Sequence, residues 1–150
     1  MKRVTPRFGA AKVAFTLPYG SKAPEVPDRH RRDDNKLSRW RIRNEGDNGV
    51  AMEWTVWRLA DDCVFAALPG EVCHMIGKRA KKISGARFVL FLGYSNGNPC
   101  YIPTDQILRE GGYEDDLSMV ADGRPYLFAA GIDTTLDSDL QRALAQLGAR

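Results

Sequence analysis

Residues 68–113 read LPGEVCHMIGKRAKKISGARFVLFLGYSNGNPCYIPTDQILREGGY, and this stretch decides the fold. Two short apolar runs, Cys63–Leu68 at its start and Phe88–Leu92 within it, have the continuous hydrophobicity of strands buried on both faces. Between the runs, Glu71–Ile83 has apolar residues at helical spacing, and its lysines fall elsewhere. The pattern predicts a strand, a helix and a second strand parallel to the first. Ligands of such sheets bind beyond the carboxyl ends of the strands, so the residues that follow the two runs are candidates for a functional site.

Two acid-base side chains follow these predicted strands. Glu71 comes shortly after the first, and Tyr101 ends the loop Gly93–Tyr101, which is rich in residues that tolerate positive φ or fix φ. The residues alone leave two interpretations open for each. A glutamate in the first turn of a helix also suits the helix dipole, and a tyrosine also suits packing with its hydroxyl bonded to backbone. His74 shares the predicted helical face of Glu71 at i,i+3, as in some metal sites, but we interpret it as an exposed histidine near the helix start.

The preceding residues predict antiparallel strands. Met52–Leu59 is rich in β-forming residues, and the turn sequence Ala60-Asp61-Asp62 joins it to the first apolar run as a hairpin. Lys12–Leu17 alternates and is expected to be a further strand, ended by Pro18. The fold class that follows is α/β, with a mixed sheet in which a β-hairpin leads into a βαβ unit, plus C-terminal helices.

The residues after the loop predict helices. Thr104 is expected to cap a short helix over Asp105–Glu110, which Gly111-Gly112 stops. Thr134–Asp139 predicts a break and a cap before an amphipathic C-terminal helix. The apolar side of that helix consists of Leu140, Leu144 and Leu147.

Length and composition fit one globular domain over residues 1–150. The chain is 43% hydrophobic and 27% charged, which is ordinary for a soluble protein. Tyr19–Lys36 is expected to be a loop, because it holds prolines and many charges with little apolar content. No apolar run approaches the roughly 20 residues that a membrane span needs. Lys12 interrupts the N-terminal apolar segment, so no secretory signal is predicted and the cytoplasm is favoured.

The three cysteines are Cys63, Cys73 and Cys100, and no two of them have CxxC spacing. The odd count argues against a disulfide framework, and the spacing argues against a cysteine-rich zinc site. Cys63 and Cys73 are therefore expected to be small buried hydrophobic residues.

The segment Arg29–Arg43 is basic and contains Trp40, a composition that suits a nucleic-acid surface, because cations neutralise phosphates and a ring stacks on bases. The other interpretation is a solvated helix or linker whose one apolar side, Leu37 and Trp40, docks on the core. We favour the latter, since Asp33 and Asp34 dilute the patch and no recognition motif accompanies it. No nucleic-acid partner is expected.

Four short motifs occur in order: PGE at 69–71, GYSNG at 93–97, YIPT at 101–104 and EGGYE at 110–114. Together they resemble the C-terminal part of the catalytic domain of neutral/alkaline (non-lysosomal) ceramidases, which are zinc-dependent amidohydrolases. The resemblance is strongest over Trp54–Glu114. It implies that Glu71 and Tyr101 are zinc ligands and that Tyr113 lies beside the metal and the substrate. It also implies a helix over Arg124–Ile132.

The resemblance also implies what this chain lacks. In the family, two histidine ligands and a nucleophilic serine come from an earlier part of the domain that has no counterpart here. The histidines of this chain, His30 and His74, lie in no motif of that kind. The expectation is therefore a C-terminal portion of a ceramidase-like catalytic domain. Its implied cofactor is zinc, which would need two histidines from outside the chain. Its implied partners are the missing N-terminal part of the domain and a ceramide-like lipid, hydrolysed at its N-acyl amide bond.

Two other functions stay open. The first is a nonenzymatic remnant of the family with a structural or binding role, and the second is the nucleic-acid binder described above. An upstream in-frame coding segment with the missing histidines would separate the enzyme from the remnant.

Overall fold

The computed structural model describes residues 6–22, 48–124 and 126–148. The strands are β1 (Pro6–Lys22), β2 (Gly49–Ala60), β3 (Cys63–Ala67), β4 (Glu71–Val72), β5 (Phe88–Leu92), β6 (Tyr101–Ile102) and β7 (Tyr126–Phe128). The helices described are α1 (His74–Ser84), α2 (Asp105–Glu110), α3 (Ser118–Ala121) and α4 (Ile132–Gln146), with a π-helical turn over Tyr113–Leu117.

Five of the strands form one mixed sheet in the order β5-β3-β2-β1-β7. β2 and β3 form an antiparallel hairpin, and β3 pairs in parallel with β5 through the connection that contains α1. The predicted α/β class, the hairpin and the βαβ unit are therefore confirmed. The two remaining strands, β4 and β6, make a separate parallel pair beyond the carboxyl ends of β3 and β5.

The hydrophobic core lies on one face of the sheet. Alternate residues of β1 and β2 point into it, and Trp54, Val56 and Leu17 are almost wholly buried there. α4 packs on β1 and β2, and α1 packs on α4 and β5. Trp54 also donates its indole N–H to the carbonyl of Leu136 in α4 at 3.0 Å, which fixes the helix on the sheet.

The prediction that Phe88–Leu92 is buried on both faces is wrong. The strand has these bounds, but β5 is an edge of the sheet, and Phe88 and Leu90 are about half exposed, at 51% and 50%. Their neighbour Phe91 points the other way and stacks edge-on against Trp54, with ring centroids 6.1 Å apart. A strand that is apolar on both sides does not by itself reveal that only one face is covered.

The strand predicted to end at Pro18 continues to Lys22. Pro18 has no N–H to donate, but its carbonyl accepts from Ala129 N at 2.9 Å, and Tyr19 N then donates to Asn48 O at 3.2 Å. Tyr19–Lys22 pairs with β7, so the predicted loop over Tyr19–Lys36 is wrong at its start. The rest of that range lies outside the described residues.

The C-terminal helix begins earlier than predicted. α4 starts at Ile132 and runs through Thr134–Asp139 without a break. Its buried residues include Ile132, Leu136 and Leu140, which repeat every four positions and make one continuous apolar side. The resemblance implied a helix over Arg124–Ile132, but this range contains β7 instead, and α4 starts only at its last residue.

The short helix over Asp105–Glu110 is confirmed with its bounds. The Thr104 hydroxyl accepts from Ile107 N at 3.3 Å, as expected of its cap, and Gly111 follows the helix at a φ of 74°. None of the helices in the described ranges is long and apolar enough to cross a membrane.

Candidate functional site

The short parallel pair β4–β6 brings Glu71 and Tyr101 side by side. The two residues are register partners, and Val72 pairs with Ile102 in the same way. The ladder is held by Glu71 N donating to Cys100 O at 3.0 Å and by Cys73 N donating to Ile102 O at 3.1 Å. Register partners in a parallel pair project from the same side, so both side chains face the same space.

The sequence predicted that Glu71 lies in the first turn of a helix, and this prediction is wrong. α1 begins at His74 with Cys73 as its N-cap, so the i,i+3 relation between Glu71 and His74 on one helical face is also absent. The reason is the backbone pairing with residues 100–102. Gly70 makes that pairing possible, because a Cβ at this position would lie 2.7 Å from Cys100 O and its φ is 89°.

The neighbouring Glu71 carboxylate, followed by burial, raises the pKa of the Tyr101 hydroxyl. The phenol is therefore protonated at neutral pH. The structure thus brings together the two residues that the sequence placed in the site, while their role as metal ligands stays a prediction.

Tyr113 joins the same cluster. Its ring meets that of Tyr101 edge-on, with centroids 5.5 Å apart and an interplanar angle of 85°. It starts the π-helical turn, and its side chain is 46% exposed. The exposed phenol next to Tyr101 is available to a ligand, and its role toward a substrate stays a prediction.

Sequence reasoning missed a third phenol, that of Tyr94. The Glu71 carboxylate, followed by burial, raises the pKa of Tyr94. The side chain is 55% exposed. The only sequence signal was its position directly after β5 in the loop Gly93–Tyr101. The glycines and asparagines of that loop indicated a tight turn rather than a site.

Cys73 lies near the carboxylates of Glu71 and Glu114. Burial, followed by the charges of Glu114 and Glu71, raises the pKa of its thiol to about 11. The thiol is therefore protonated at neutral pH and is a poor nucleophile. Cys63 and Cys73 are half-buried rather than buried as predicted, whereas Cys100 is buried, and all three are free thiols.

Helix α4 anchors both sides of the site. Asp105, which begins α2 shortly after Tyr101, accepts from the first backbone N–H groups of α4: Gly131 N at 2.6 Å, Ile132 N at 3.2 Å and Asp133 N at 3.2 Å. Arg79, on the helix that follows Glu71, pairs with the Asp133 carboxylate and with Asp137 at 2.6 Å. Both halves of the β4–β6 pair are therefore tied to one helix.

A buried arginine holds the loop before Tyr101. Arg124 donates to Pro99 O at 2.8 Å and to the Tyr19 hydroxyl at 3.4 Å, which connects the loop with β1. This contact, like those of α4, joins residues far apart in sequence.

The donor set of the cluster fits only part of a zinc site. A carboxylate and a phenol oxygen are suitable ligands, but catalytic zinc normally has three protein ligands. Among the described residues, no group of three His, Cys, Asp or Glu side chains lies close enough together to hold a metal. His74 is exposed at the start of α1. His30 and the basic segment Arg29–Arg43 lie outside the described residues.

No protein-family model matches this sequence, and no curated protein matches it. Among solved structures, the fold is similar to that of the neutral ceramidase from Pseudomonas aeruginosa, with a TM-score of 0.55 and 14% sequence identity. The match covers 98% of this chain and 30% of that chain, so this chain spans less than a third of that protein's length. At this identity the likeness is one of fold.

Proposed function

We propose that this chain supplies part of the active site of a zinc-dependent amidohydrolase of the neutral ceramidase type, with Glu71 and Tyr101 as two of the metal donors. The observation that carries the proposal is the register pairing of these two residues in the short β4–β6 ladder, beyond the carboxyl ends of the parallel strands β3 and β5. The motif order PGE, GYSNG, YIPT and EGGYE and the fold likeness to a neutral ceramidase support it.

The chain's own residues have distinct tasks under this proposal. Glu71 carries the negative charge that attracts a cation, and Tyr101 presents its oxygen on the neighbouring strand. Tyr113, half exposed at the edge of the Tyr101 ring, donates a hydrogen bond to the oxyanion that develops on an attacked amide carbonyl. A bound zinc ion would polarise that carbonyl and lower the pKa of a water ligand.

The described residues leave the donor set incomplete. Two imidazoles from outside them would complete a four-ligand arrangement, and the partner we propose is a polypeptide segment that provides these imidazoles and covers the metal. The substrate class we propose is a ceramide-like lipid, cleaved at its N-acyl amide bond. By this proposal the chain alone does not hydrolyse such a lipid, because an ion held by two donors in water has little electrostatic effect on a carbonyl.

A zinc titration followed by NMR tests the proposal. We expect weak binding whose chemical-shift changes centre on Glu71 and Tyr101, and their loss in Glu71→Gln. Glu53→Gln is the matched control, because Glu53 lies in β2 and pairs with Lys12 at 2.7 Å, away from the cluster. Zinc-dependent shifts that centre elsewhere, or that survive Glu71→Gln, would overturn the assignment.

One observation favours a second candidate, a nonenzymatic remnant of the same fold. Within the described parts of the chain, the site offers two donors rather than three or four. The candidates differ in what completes them: an upstream in-frame coding segment with the two missing histidines supports the enzyme, and its absence favours the remnant.

A further inference from the structure

The chain between Glu71 and Asp105, which forms α1 and β5, contains no acidic residue. It does contain five basic residues: Lys78, Arg79, Lys81, Lys82 and Arg87. Arg79 is paired with Asp133 and Asp137 of α4. The other four make no ion pair with any residue in the described ranges. This part of the chain therefore carries four positive charges without a local counter-charge.

Three of these cations form one row on the exposed side of α1. Lys78, Lys81 and Lys82 are exposed and stand at i, i+3 and i+4, so they are neighbours on the helix surface. Like charges at this spacing repel each other and destabilise a helix. The helix dipole favours Lys81 and Lys82 in the last turn, but it does not explain why no acidic residue accompanies the row. An external anionic partner would remove the repulsion.

Exposed apolar side chains of β5 lie next to these cations. β5 is an edge of the main sheet. α1 covers the face on which Phe91 lies, since a Cβ at Gly77 would be 3.0 Å from the Phe91 ring. Phe88 and Leu90 project from the other face and are about half exposed. The guanidinium of Arg87 lies over the Phe88 ring, 4.9 Å from its centroid. Large apolar side chains and unpaired cations therefore meet at this edge.

We propose that this edge of the molecule binds the surface of a membrane that contains anionic lipids. We call it the β5 surface, and it consists of Lys78, Lys81, Lys82, Arg87, Phe88 and Leu90. Phenylalanine and leucine side chains enter the boundary between headgroups and acyl chains, and the cations around them are attracted to anionic headgroups. The proposal does not rest on the proposed zinc site, although an enzyme that acts on a membrane lipid needs a surface of this kind.

The side chains of the β5 surface favour a lipid over a nucleic acid. Both partners would use the same cations, because both carry phosphates. Single-stranded nucleic acids also need exposed rings on which bases stack. Leu90 has no ring, and the guanidinium of Arg87 already lies over the ring of Phe88. Flexible acyl chains need only apolar area, which both side chains offer.

Vesicle flotation of the purified protein tests the proposal, without zinc and without ceramide. We expect the protein to bind mixed phosphatidylcholine–phosphatidylglycerol vesicles and not vesicles of phosphatidylcholine alone. Lys81→Gln should weaken this binding about 5-fold, the effect expected of one basic residue near an anionic bilayer. Arg109→Gln is the matched control, because it removes one exposed cation from α2, and it should bind as wild type does.

Two further variants separate the charged and apolar parts of the surface. Replacement of Lys78, Lys81 and Lys82 together by Gln should abolish most of the binding and most of its salt dependence, because salt screens the attraction of exposed charges. Leu90→Thr keeps a strand-forming residue and should lower the affinity at every salt concentration while the salt dependence remains. The Tm of each variant should stay close to that of wild type, because the replaced side chains are exposed.

Three outcomes would overturn the proposal. Equal vesicle binding by wild type and the triple lysine variant would show that another part of the chain carries it, such as the basic segment Arg29–Arg43. Binding of DNA or RNA that needs the α1 lysines, with no vesicle binding, would identify a nucleic-acid surface instead. A dimer in gel filtration that Leu90→Thr dissociates, with no vesicle binding, would show that a second copy covers the edge. Failure of the zinc site would leave these results unchanged.

Discussion

The two faces of the main sheet differ sharply. On one face, Trp54 and its neighbours are buried under α1 and α4. On the other, which we call the open face, a row of apolar residues crosses four strands and is half-buried to exposed: Ala10, Trp57, Phe65 and Leu90. The helix-covered face also carries the connections that position the site, through Arg79 and Asp105. The difference teaches that stability and site geometry both depend on the covered face, although apolar residues occupy both.

The largest effect on the free energy of unfolding is expected when the Trp54 side chain on the covered face is truncated. Trp54→Ala should cost about 3–5 kcal/mol in the free energy of unfolding, since it leaves a cavity and the Leu136 carbonyl loses its donor. Trp57→Ala, on the open face of the same strand, is the matched control and should cost much less. Urea unfolding of both variants measures the difference, and equal losses would remove the distinction between the faces.

A smaller effect is expected where α2 meets α4. Asp105→Ala should cost about 1–2 kcal/mol, because three N–H groups at the start of α4 lose their acceptor. Asp105→Asn keeps one acceptor oxygen and should lose less. Urea unfolding gives the energies, and NMR shifts at Tyr101 show whether the site moves with the helix. A site that keeps its shifts in Asp105→Ala would show that α4 does not position it.

The pH dependence of stability in the alkaline range should test the environment of Tyr101. The Glu71 carboxylate raises the folded-state pKa of Tyr101 above its ordinary value of 10.0. The unfolded chain therefore loses this proton first, so the stability that the protonated phenol contributes is complete below about pH 10 and decreases as pH rises further. Tyr101→Phe should have a shallower alkaline decrease than wild type in urea unfolding, and Tyr126→Phe should not. Identical alkaline slopes in all three proteins would contradict the raised pKa of Tyr101.

The smallest effect is expected on the open face. Leu90→Ala should change the free energy of unfolding by no more than about 0.5 kcal/mol, because its side chain is half exposed. Its neighbour Phe91, which packs on Trp54 from the same strand, gives the comparison: Phe91→Ala should cost clearly more. A large loss in Leu90→Ala would show that the open face is covered in solution.

The sequence predicted what local patterns determine. The apolar runs gave β3 and β5 and their parallel relation, and the Thr104 cap gave α2. The sequence predicted a helical Glu71, because the neighbouring residues suit a helix. In the structure Glu71 instead pairs with the strand of residues 101–102, a long-range contact that the neighbouring residues do not determine. The conformation of Tyr94 depends on the same kind of contact, since backbone bonds join residues 94–95 to residues 68–70. The start of α4 depends on Asp105, more than 20 residues earlier.

The central claim is that Glu71 and Tyr101 are half of a zinc site, and calorimetric titration of zinc into the purified 150-residue protein tests it most directly. The account predicts affinity weaker than micromolar, because two oxygen donors without imidazole partners make a weak site. An N-acyl hydrolysis assay on the same sample should give no turnover above a metal-only blank. Sub-micromolar zinc affinity that Glu71→Ala abolishes would contradict the account, since this chain would then hold a complete site.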